Sequence, residues 1–289
     1  LKRSLGALNL VLLGIGCIIG TGIFVLTGQA AAQHAGPGIV ISFLITGTLC
    51  TLVALCYAEL AAAIPVSGSA YSYSYASMGE LAAWIMGLLL VLEYGLAAST
   101  VAAGWSGYLV SLLHDLNIDI PPPLTAAPGV EVKDAAGAVI AHGLINLPAL
   151  IAMGAVTALL VVGISESTTM NNIVVAIKLT VVIAFIVIGS FFVKPELWTP
   201  LVPPQVPAPP AGSDMSLWGQ IWRAMTDVVT GQNDSKYGIG GLIAGAAMIF
   251  FAYIGFEAVS TAGAESKNPA KDMPIGIIGS LLVCTVLYI

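Results

Sequence analysis

The chain reads Gly14-Ile15-Gly16-Cys17-Ile18-Ile19-Gly20-Thr21-Gly22-Ile23-Phe24 in the middle of an uncharged apolar run from Leu8 to Ala32. The run is long enough to cross a bilayer as a helix, which needs about 20 residues, yet its centre is Gly-Thr-Gly, which forms helix poorly. Broken helix is tolerated in lipid only where the freed backbone faces protein or a water-filled cavity. We therefore expect two half-helices that meet near the midplane, the second beginning at Thr21-Gly22.

The start of that second half-helix would point unpaired N–H groups and the positive end of its dipole at the break, an arrangement that suits a carboxylate. The alternative interpretation is structural. Gly16 and Gly20 form a GxxxG pair, and such pairs allow two transmembrane helices to pack closely. The run by itself does not distinguish the two.

A second apolar, glycine-rich run extends from Gly238 to Gly263. Its centre reads Phe250-Phe251-Ala252-Tyr253-Ile254-Gly255-Phe256-Glu257, where Gly255 permits unwinding and Glu257 places a charge at a costly depth. Two interrupted segments that open the two halves of a chain indicate a transporter site at a repeat interface. N–H groups of the first break would bind a carboxylate, and freed carbonyls of the second would bind an ammonium. A ligand with both charges close together is an α-amino acid.

The composition is that of an integral membrane protein. Of 289 residues, 58% are hydrophobic and 8% are charged, against about 25% charged in soluble proteins. The net charge of −6, without a basic cluster, does not favour nucleic-acid binding. The four cysteines lie in apolar segments without CxxC or Cys/His spacing, so we expect no disulfide frame, metal site or cofactor. No nucleophile elbow, HExxH or P-loop motif is present, and we expect no enzymatic activity.

Seven apolar segments follow one another, and all should be helices because an open sheet would leave backbone groups unpaired in lipid. They run over residues 8–32, 39–63, 81–113, 144–164, 171–193, 238–263 and 274–289. In the proline-rich loop between the fifth and the sixth, Trp218, Ile221, Trp222 and Met225 have helical spacing and predict a short amphipathic helix at the membrane surface. Because the chain has no initiator Met and stops within an apolar run, we expect a longer protein with further helices after Ile289.

The positive charges favour a cytoplasmic N-terminus in the cell membrane. Lys2, Arg3, Lys267 and Lys271 closely flank the first and sixth segments, whereas the positive charges on the other side lie in longer loops. Positive residues in long loops count for less in setting orientation.

Short motifs occur in nearly every segment. They are Gly20-Thr21-Gly22-Ile23-Phe24, Gly36-Pro37-Gly38, Tyr57-Ala58-Glu59-Leu60, Pro65-Val66-Ser67-Gly68-Ser69, Leu92-Glu93-Tyr94-Gly95, Phe251-Ala252-Tyr253-Ile254-Gly255-Phe256-Glu257, and Asn268-Pro269 through Pro274-Ile275-Gly276-Ile277. Together they resemble the amino acid–polyamine–organocation superfamily, and within it the cationic amino acid transporter group and its bacterial relatives. One departure is Ser67-Gly68-Ser69, where relatives often have Gly-Gly after Ser.

The resemblance implies an all-α integral membrane protein with the leucine-transporter-like fold, which has two inverted five-helix repeats plus extra helices, commonly about 12 to 14 in all. Residues 1–193 would form the first repeat with five transmembrane helices. Residues 194–237 would form an extracellular loop that contains the amphipathic helix. Residues 238–289 would begin the second repeat with helix six and a truncated helix seven. The missing C-terminal helices of the same protein would be its partners.

The resemblance also implies where the substrate binds. The site residues would be Ile19, Gly20, Thr21 and Gly22 in the first break and Phe251, Ala252, Ile254 and Gly255 in the second. The carboxylate would meet N–H groups of the first break, and the ammonium would meet the carbonyls of Phe251, Ala252 and Ile254. Phe251 would also close over the ligand as a gate.

Two charges inside the apolar segments are candidate proton carriers. A lysine at the depth of Lys178 is costly unless it is paired or deprotonated. The resemblance places it where sodium binds in sodium-coupled relatives, with its ammonium bonded to carbonyls near Ile19 and Gly20. Alternatively, Lys178 extends toward the inner membrane surface. Glu93, the one charge within the third segment, either pairs with Lys178 and shares its proton or packs helices as a polar group.

These features favour secondary active transport of α-amino acids, coupled to protons, by alternating access around the broken helices one and six. The expected partners are the amino acid, protons and the lipid bilayer. An uncoupled facilitator or exchanger of cationic amino acids is the alternative within the same class. A non-transporting sensor or structural subunit, in which the glycine clusters only pack helices, is the alternative from another class.

Overall fold

The computed structural model describes residues 3–133, 138–162, 168–206, 216–230 and 236–289, and over these residues the elements of regular secondary structure are helices apart from one small hairpin. The α-helices are α1 (Ala7–Ile18), α2 (Thr27–Ala30), α3 (Ile39–Ala63), α4 (Ser69–Met78), α5 (Glu80–Asp115), α6 (Leu147–Val162), α7 (Thr168–Ser190), α8 (Leu217–Thr230), α9 (Gly238–Tyr253) and α10 (Pro269–Tyr288). The hairpin pairs β1 (Glu131–Lys133) with β2 (Val139–His142) in antiparallel register, Glu131 opposite His142.

Two of the apolar segments are interrupted helices. After α1, the chain resumes helical structure as a π-helix, Gly22–Leu26, which runs through α2 into a second π-helix, Ala31–Ala35. After α9, it continues as a 3-10 helix, Glu257–Glu265. These are the two segments that the glycine-rich stretches predict to be broken.

The described helices agree with a multi-pass membrane protein. Five stretches are long and apolar enough to cross a membrane: Gly22–Ala63, Glu80–Asp115, Asn171–Ser190, Gly238–Glu265 and Pro269–Tyr288. The first of them turns at Gly36, whose φ of 59° suits glycine, and therefore contributes to two of the predicted segments. The shorter apolar helices α1 and α6 supply the rest. Each of the seven predicted segments thus contains helix, and the predicted amphipathic helix is α8.

The chain forms two compact units, Leu1–Ala83 with Ser167–Ile289, and Trp84–Glu166. In the first unit, α10 packs against both α1 and α3, α9 packs against α3, and α7 packs against α1. The fully buried side chains of this unit come from several of these helices and include Leu10, Ile19, Phe43, Tyr253, Ile277 and Leu281. Both interrupted segments therefore lie in one packed body.

Small residues and hydroxyl groups hold that body together. A Cβ on Gly276 would lie 2.7 Å from the Cβ of Leu10, so α10 and α1 approach as closely as a glycine allows. Ser42 of α3 donates to the Leu242 carbonyl of α9 at 2.8 Å, and one turn later Thr46 donates to the Ala246 carbonyl at 2.9 Å. Close packing and interhelical hydrogen bonds of this kind hold helices together in lipid, where the hydrophobic effect does not.

The second unit contains most of α5, the hairpin and α6. The Asn146 side chain caps the start of α6 by accepting the N–H of Ala149 at 3.1 Å. The same oxygen accepts the Ser106 hydroxyl of α5 at 2.6 Å, which ties the two helices together. Glu93 lies on the part of α5 that belongs to this unit and is partly buried.

Candidate functional site

The first break spans two residues. Ile19 is extended, with φ −72° and ψ 105°, although its N–H still bonds the Ile15 carbonyl at 3.0 Å. Gly20 is a bend, and helical structure resumes at Thr21. The break therefore falls within the predicted residues 19–22, and the first N–H groups of the new half-helix, which have no partner within it, begin there.

The second break begins at Ile254, three residues after the start of the predicted range of 251–255, and ends one residue beyond that range. Phe251 and Ala252 belong to the last turn of α9, and the non-helical residues are Ile254, Gly255 and Phe256. The Ile254 N–H closes on the Phe251 carbonyl at 3.3 Å, which continues the helix past Phe251. The chain then turns at Gly255, whose φ of 118° is a conformation that glycine adopts readily.

The two breaks lie against each other. A Cβ on Gly22 would overlap the backbone of Ala252, and a Cβ on Gly255 would lie 2.9 Å from the carbonyl carbon and oxygen of Cys17. Each of these glycines thus faces the backbone of the other interrupted segment. By contrast, a Cβ on Gly20 would have no described atom within 4 Å. Gly22 and Gly255 serve close packing, whereas Gly20 lies on the open side of the first break.

Glu257 stabilises the second break. Its carboxylate accepts the Gly255 N–H at 3.0 Å, and the residue is buried. Unwinding frees this N–H from helical hydrogen bonding, and a buried backbone donor without a partner is costly. The carboxylate of Glu257 accepts that N–H and so stabilises the unwound backbone at Gly255.

Lys178 bonds the backbone of the first interrupted segment. Its amine donates to the Ile19 carbonyl at 2.7 Å and to the Gly16 carbonyl at 2.8 Å. The expected contact near Ile19 is present, but the second acceptor is Gly16 and not Gly20. The reason is the packing of α7 on α1, in which Val175 meets Gly16 directly: a Cβ on Gly16 would lie 3.0 Å from Val175 Cγ2. Gly16 lies in the last turn of α1, where helical carbonyls lack intrahelical partners.

The Lys178 side chain is directed at a neighbouring segment of the first unit, where its amine bonds the carbonyls of Gly16 and Ile19. Its amine turns toward α1. The lysine therefore caps carbonyls inside the packed unit.

Tyr288, which the motifs do not single out, also joins the two breaks. Its hydroxyl lies 3.1 Å from the Ile18 carbonyl oxygen and 3.0 Å from the Ala252 carbonyl oxygen. Of the three carbonyls expected to meet an ammonium, that of Ala252 is therefore shared with Tyr288, and that of Phe251 with the Ile254 N–H. No local pattern marks Tyr288, since Ile18 lies 270 residues away along the chain.

The sequence-predicted site residues are distributed between the two units. The residues of both breaks and Lys178 lie in the first unit, whereas Glu93 lies in the second, so its pairing with Lys178 stays a prediction. Within the described ranges, no three His, Cys, Asp or Glu side chains come together in a group that could hold a metal ion.

Comparison with known proteins adds a family relationship. The family model for amino acid permeases matches residues 9–289. The chain is 46% identical over its full length to a methylthioribose transporter and 48% identical to a branched-chain amino acid permease, both from Bacillus subtilis (strain 168), covering 54% and 53% of those proteins. It is 36% identical to a chloroplastic cationic amino acid transporter 9 of Arabidopsis thaliana, of which it covers 44%. The chain thus spans about half the length of the curated relatives it matches.

Proposed function

The chain belongs to the amino acid permease family, and from this premise we propose that the full-length protein transports α-amino acids across the cell membrane, with its N-terminus in the cytoplasm. The observation that carries the proposal is the juxtaposition of two helix breaks of opposite polarity. The start of one half-helix, at Thr21, and the end of another, at Tyr253, meet within one packed unit.

The two ends have complementary charge. A helix start carries a partial positive charge on free N–H groups, and a helix end carries a partial negative charge on free carbonyls. We assign the substrate carboxylate to the N–H groups of Gly20, Thr21 and Gly22. We assign the ammonium to the carbonyls at the end of α9, with that of Ile254 at the break itself. The open space beside Gly20 supports this assignment.

Proton coupling is the second part of the proposal. The Lys178 amine holds two carbonyls of the first interrupted segment at 2.7 and 2.8 Å. A neutral amine would hold them less strongly, because hydrogen bonds from charged donors are about twice as strong as neutral ones. Loss of one proton would therefore release the first break from α7 and bias the balance between two conformations of the transporter.

The names of the relatives indicate two alternatives for the substrate and for the mode of transport. Some are cationic amino acid transporters, which keeps an uncoupled facilitator or exchanger of cationic substrates open. Another is a methylthioribose transporter, whose named substrate has neither a carboxylate nor an ammonium. A substrate without these groups would not use the two charged ends of the breaks, so substrate choice tests the site directly.

The test is uptake by the full-length protein in proteoliposomes. Radiolabelled leucine, arginine and methylthioribose are each offered with an inward proton gradient and without one. We expect uptake of leucine or arginine that the gradient increases. Equal uptake of an amino acid with and without the gradient would support the amino acid site and contradict proton coupling. Uptake of methylthioribose alone would overturn the assignment of both charged ends, and no uptake of any of the three would favour a sensor or structural subunit.

A further inference from the structure

Tyr288 spans the gap between the two interrupted segments from a third helix. Its hydroxyl oxygen is 3.1 Å from the carbonyl oxygen of Ile18, the last residue of α1, and 3.0 Å from that of Ala252, in the last turn of α9. Helical carbonyls in a last turn have no intrahelical partner. The hydroxyl thus reaches one such carbonyl on each side.

The rest of the side chain is held firmly. Tyr288 is 7% exposed, and its ring packs against those of Phe43 and Tyr253, with centroids 5.6 and 5.3 Å apart. A ring fixed from two sides leaves its hydroxyl little freedom to move. The position of the hydroxyl oxygen therefore defines how far apart the ends of α1 and α9 lie.

A phenol has one proton to donate. The hydroxyl can bond either carbonyl without moving its oxygen, and exchange between the two acceptors requires only rotation about the C–O bond. The bridge therefore tolerates small changes at either helix end, yet it keeps both ends at hydrogen-bonding distance from one point.

We propose that Tyr288 is a positioning residue that sets the distance between the carboxylate end and the ammonium end of the substrate site. This inference rests on the proposed function, because a ligand with two charges must meet both breaks at once. A fixed distance favours an α-amino acid, in which one carbon separates the two charged groups, over a β-amino acid, in which two carbons do.

The experiment measures the preference for an α-amino acid over the matching β-amino acid, and not uptake alone. The full-length Tyr288→Phe variant removes the hydroxyl and keeps the ring. Uptake of leucine is measured together with the inhibition constant of β-homoleucine, which has the same side chain and one more methylene between its charges. We expect the preference for leucine over β-homoleucine to fall about two- to tenfold, the equivalent of one net hydrogen bond. Arginine and β-homoarginine serve in the same way if arginine is the substrate carried.

Thr285→Val is the matched control. Thr285 lies on the same helix as Tyr288, and its hydroxyl donates to the Leu281 carbonyl of that helix at 2.8 Å. This variant should keep the wild-type preference. If Tyr288→Phe is not monodisperse in detergent, Tyr288→Met removes the same hydroxyl with a flexible side chain that fills irregular space.

An unchanged preference in the Tyr288 variants, or an equal loss of affinity for both ligands, would overturn the positioning role and reduce Tyr288 to a packing residue. Either result leaves amino acid transport intact. Failure of the proposed function has a different signature, because the wild-type protein would then take up neither leucine nor arginine.

Discussion

Lys178→Met removes a charge while keeping a long side chain in the space beside α1. The lysine amine donates two hydrogen bonds to the first interrupted segment, and a hydrogen bond from a charged donor contributes about 1.5–3 kcal/mol. The two together contribute about 3–6 kcal/mol to the state in which the first break is tied to α7. Their loss would shift the balance toward the released state by about two to four orders of magnitude.

The assay is uptake into proteoliposomes over a range of external pH, with exchange of internal for external substrate measured separately. In Lys178→Met we expect uptake to lose its dependence on the proton gradient and on pH, because the group that carries the proton is gone. Exchange should persist, since the proposed partners of the substrate are backbone groups. Lys178→Arg should have the opposite defect, because a guanidinium stays charged at every working pH and would keep the first break tied.

Thr180→Val is the matched control on the same helix. Thr180 is exposed and donates to the Ala176 carbonyl of its own helix at 2.8 Å, so its replacement should leave the pH profile unchanged. If Lys178→Met transports at the wild-type rate with the wild-type pH profile, the proton-coupling role of Lys178 is wrong. Lys178 would then only hold α7 against the first interrupted segment, and the proposed amino acid site would not be contradicted.

Three further changes test the breaks and the second charge. Gly22→Ala should cost about 1–3 kcal/mol of stability through overpacking and lower the thermal unfolding temperature, whereas Gly20→Ala, beside open space, should not. Gly255→Leu should abolish amino acid binding in a scintillation assay with little effect on membrane insertion, because its side chain would enter the space between the interrupted segments; unchanged affinity would contradict the site. If Glu93 pairs with Lys178, Glu93→Gln should move the pH optimum of uptake toward acid, because the lysine loses the carboxylate that favours its charged form; an unmoved optimum would show that Glu93 has no part in proton coupling.

The family and fold class were predictable from sequence. The resemblance to the amino acid–polyamine–organocation superfamily is confirmed by the family match over residues 9–289, and with it the leucine-transporter-like fold of which this chain covers the first part. The seven segments and the first break were predictable for a physical reason. In lipid each segment must satisfy its own backbone hydrogen bonds. The length of an apolar run therefore predicts a membrane-spanning helix, and a Gly-Thr-Gly within the run predicts where that helix breaks.

The exact register of the contacts was not predictable. The second break starts at Ile254 and not at Phe251, because the final turn of α9 closes on the Phe251 carbonyl before Gly255 turns the chain. Lys178 bonds Gly16 in place of Gly20, because that choice depends on how α7 lies along α1. Both are differences of about one helical turn, which sequence patterns do not resolve.

The bridge made by Tyr288 depended wholly on the tertiary structure. Its hydroxyl meets Ile18, 270 residues away, and Ala252, 36 residues away. A tyrosine near the end of an apolar segment has no local signature of such a role, since the carbonyls it reaches become available only where two other helices are broken. The sequence alone determined which helices break, because helix formation in lipid is a local property. Only the packing of α7 and α10 against the two interrupted segments decided which distant side chains, Lys178 and Tyr288, bond the backbone carbonyls at those breaks.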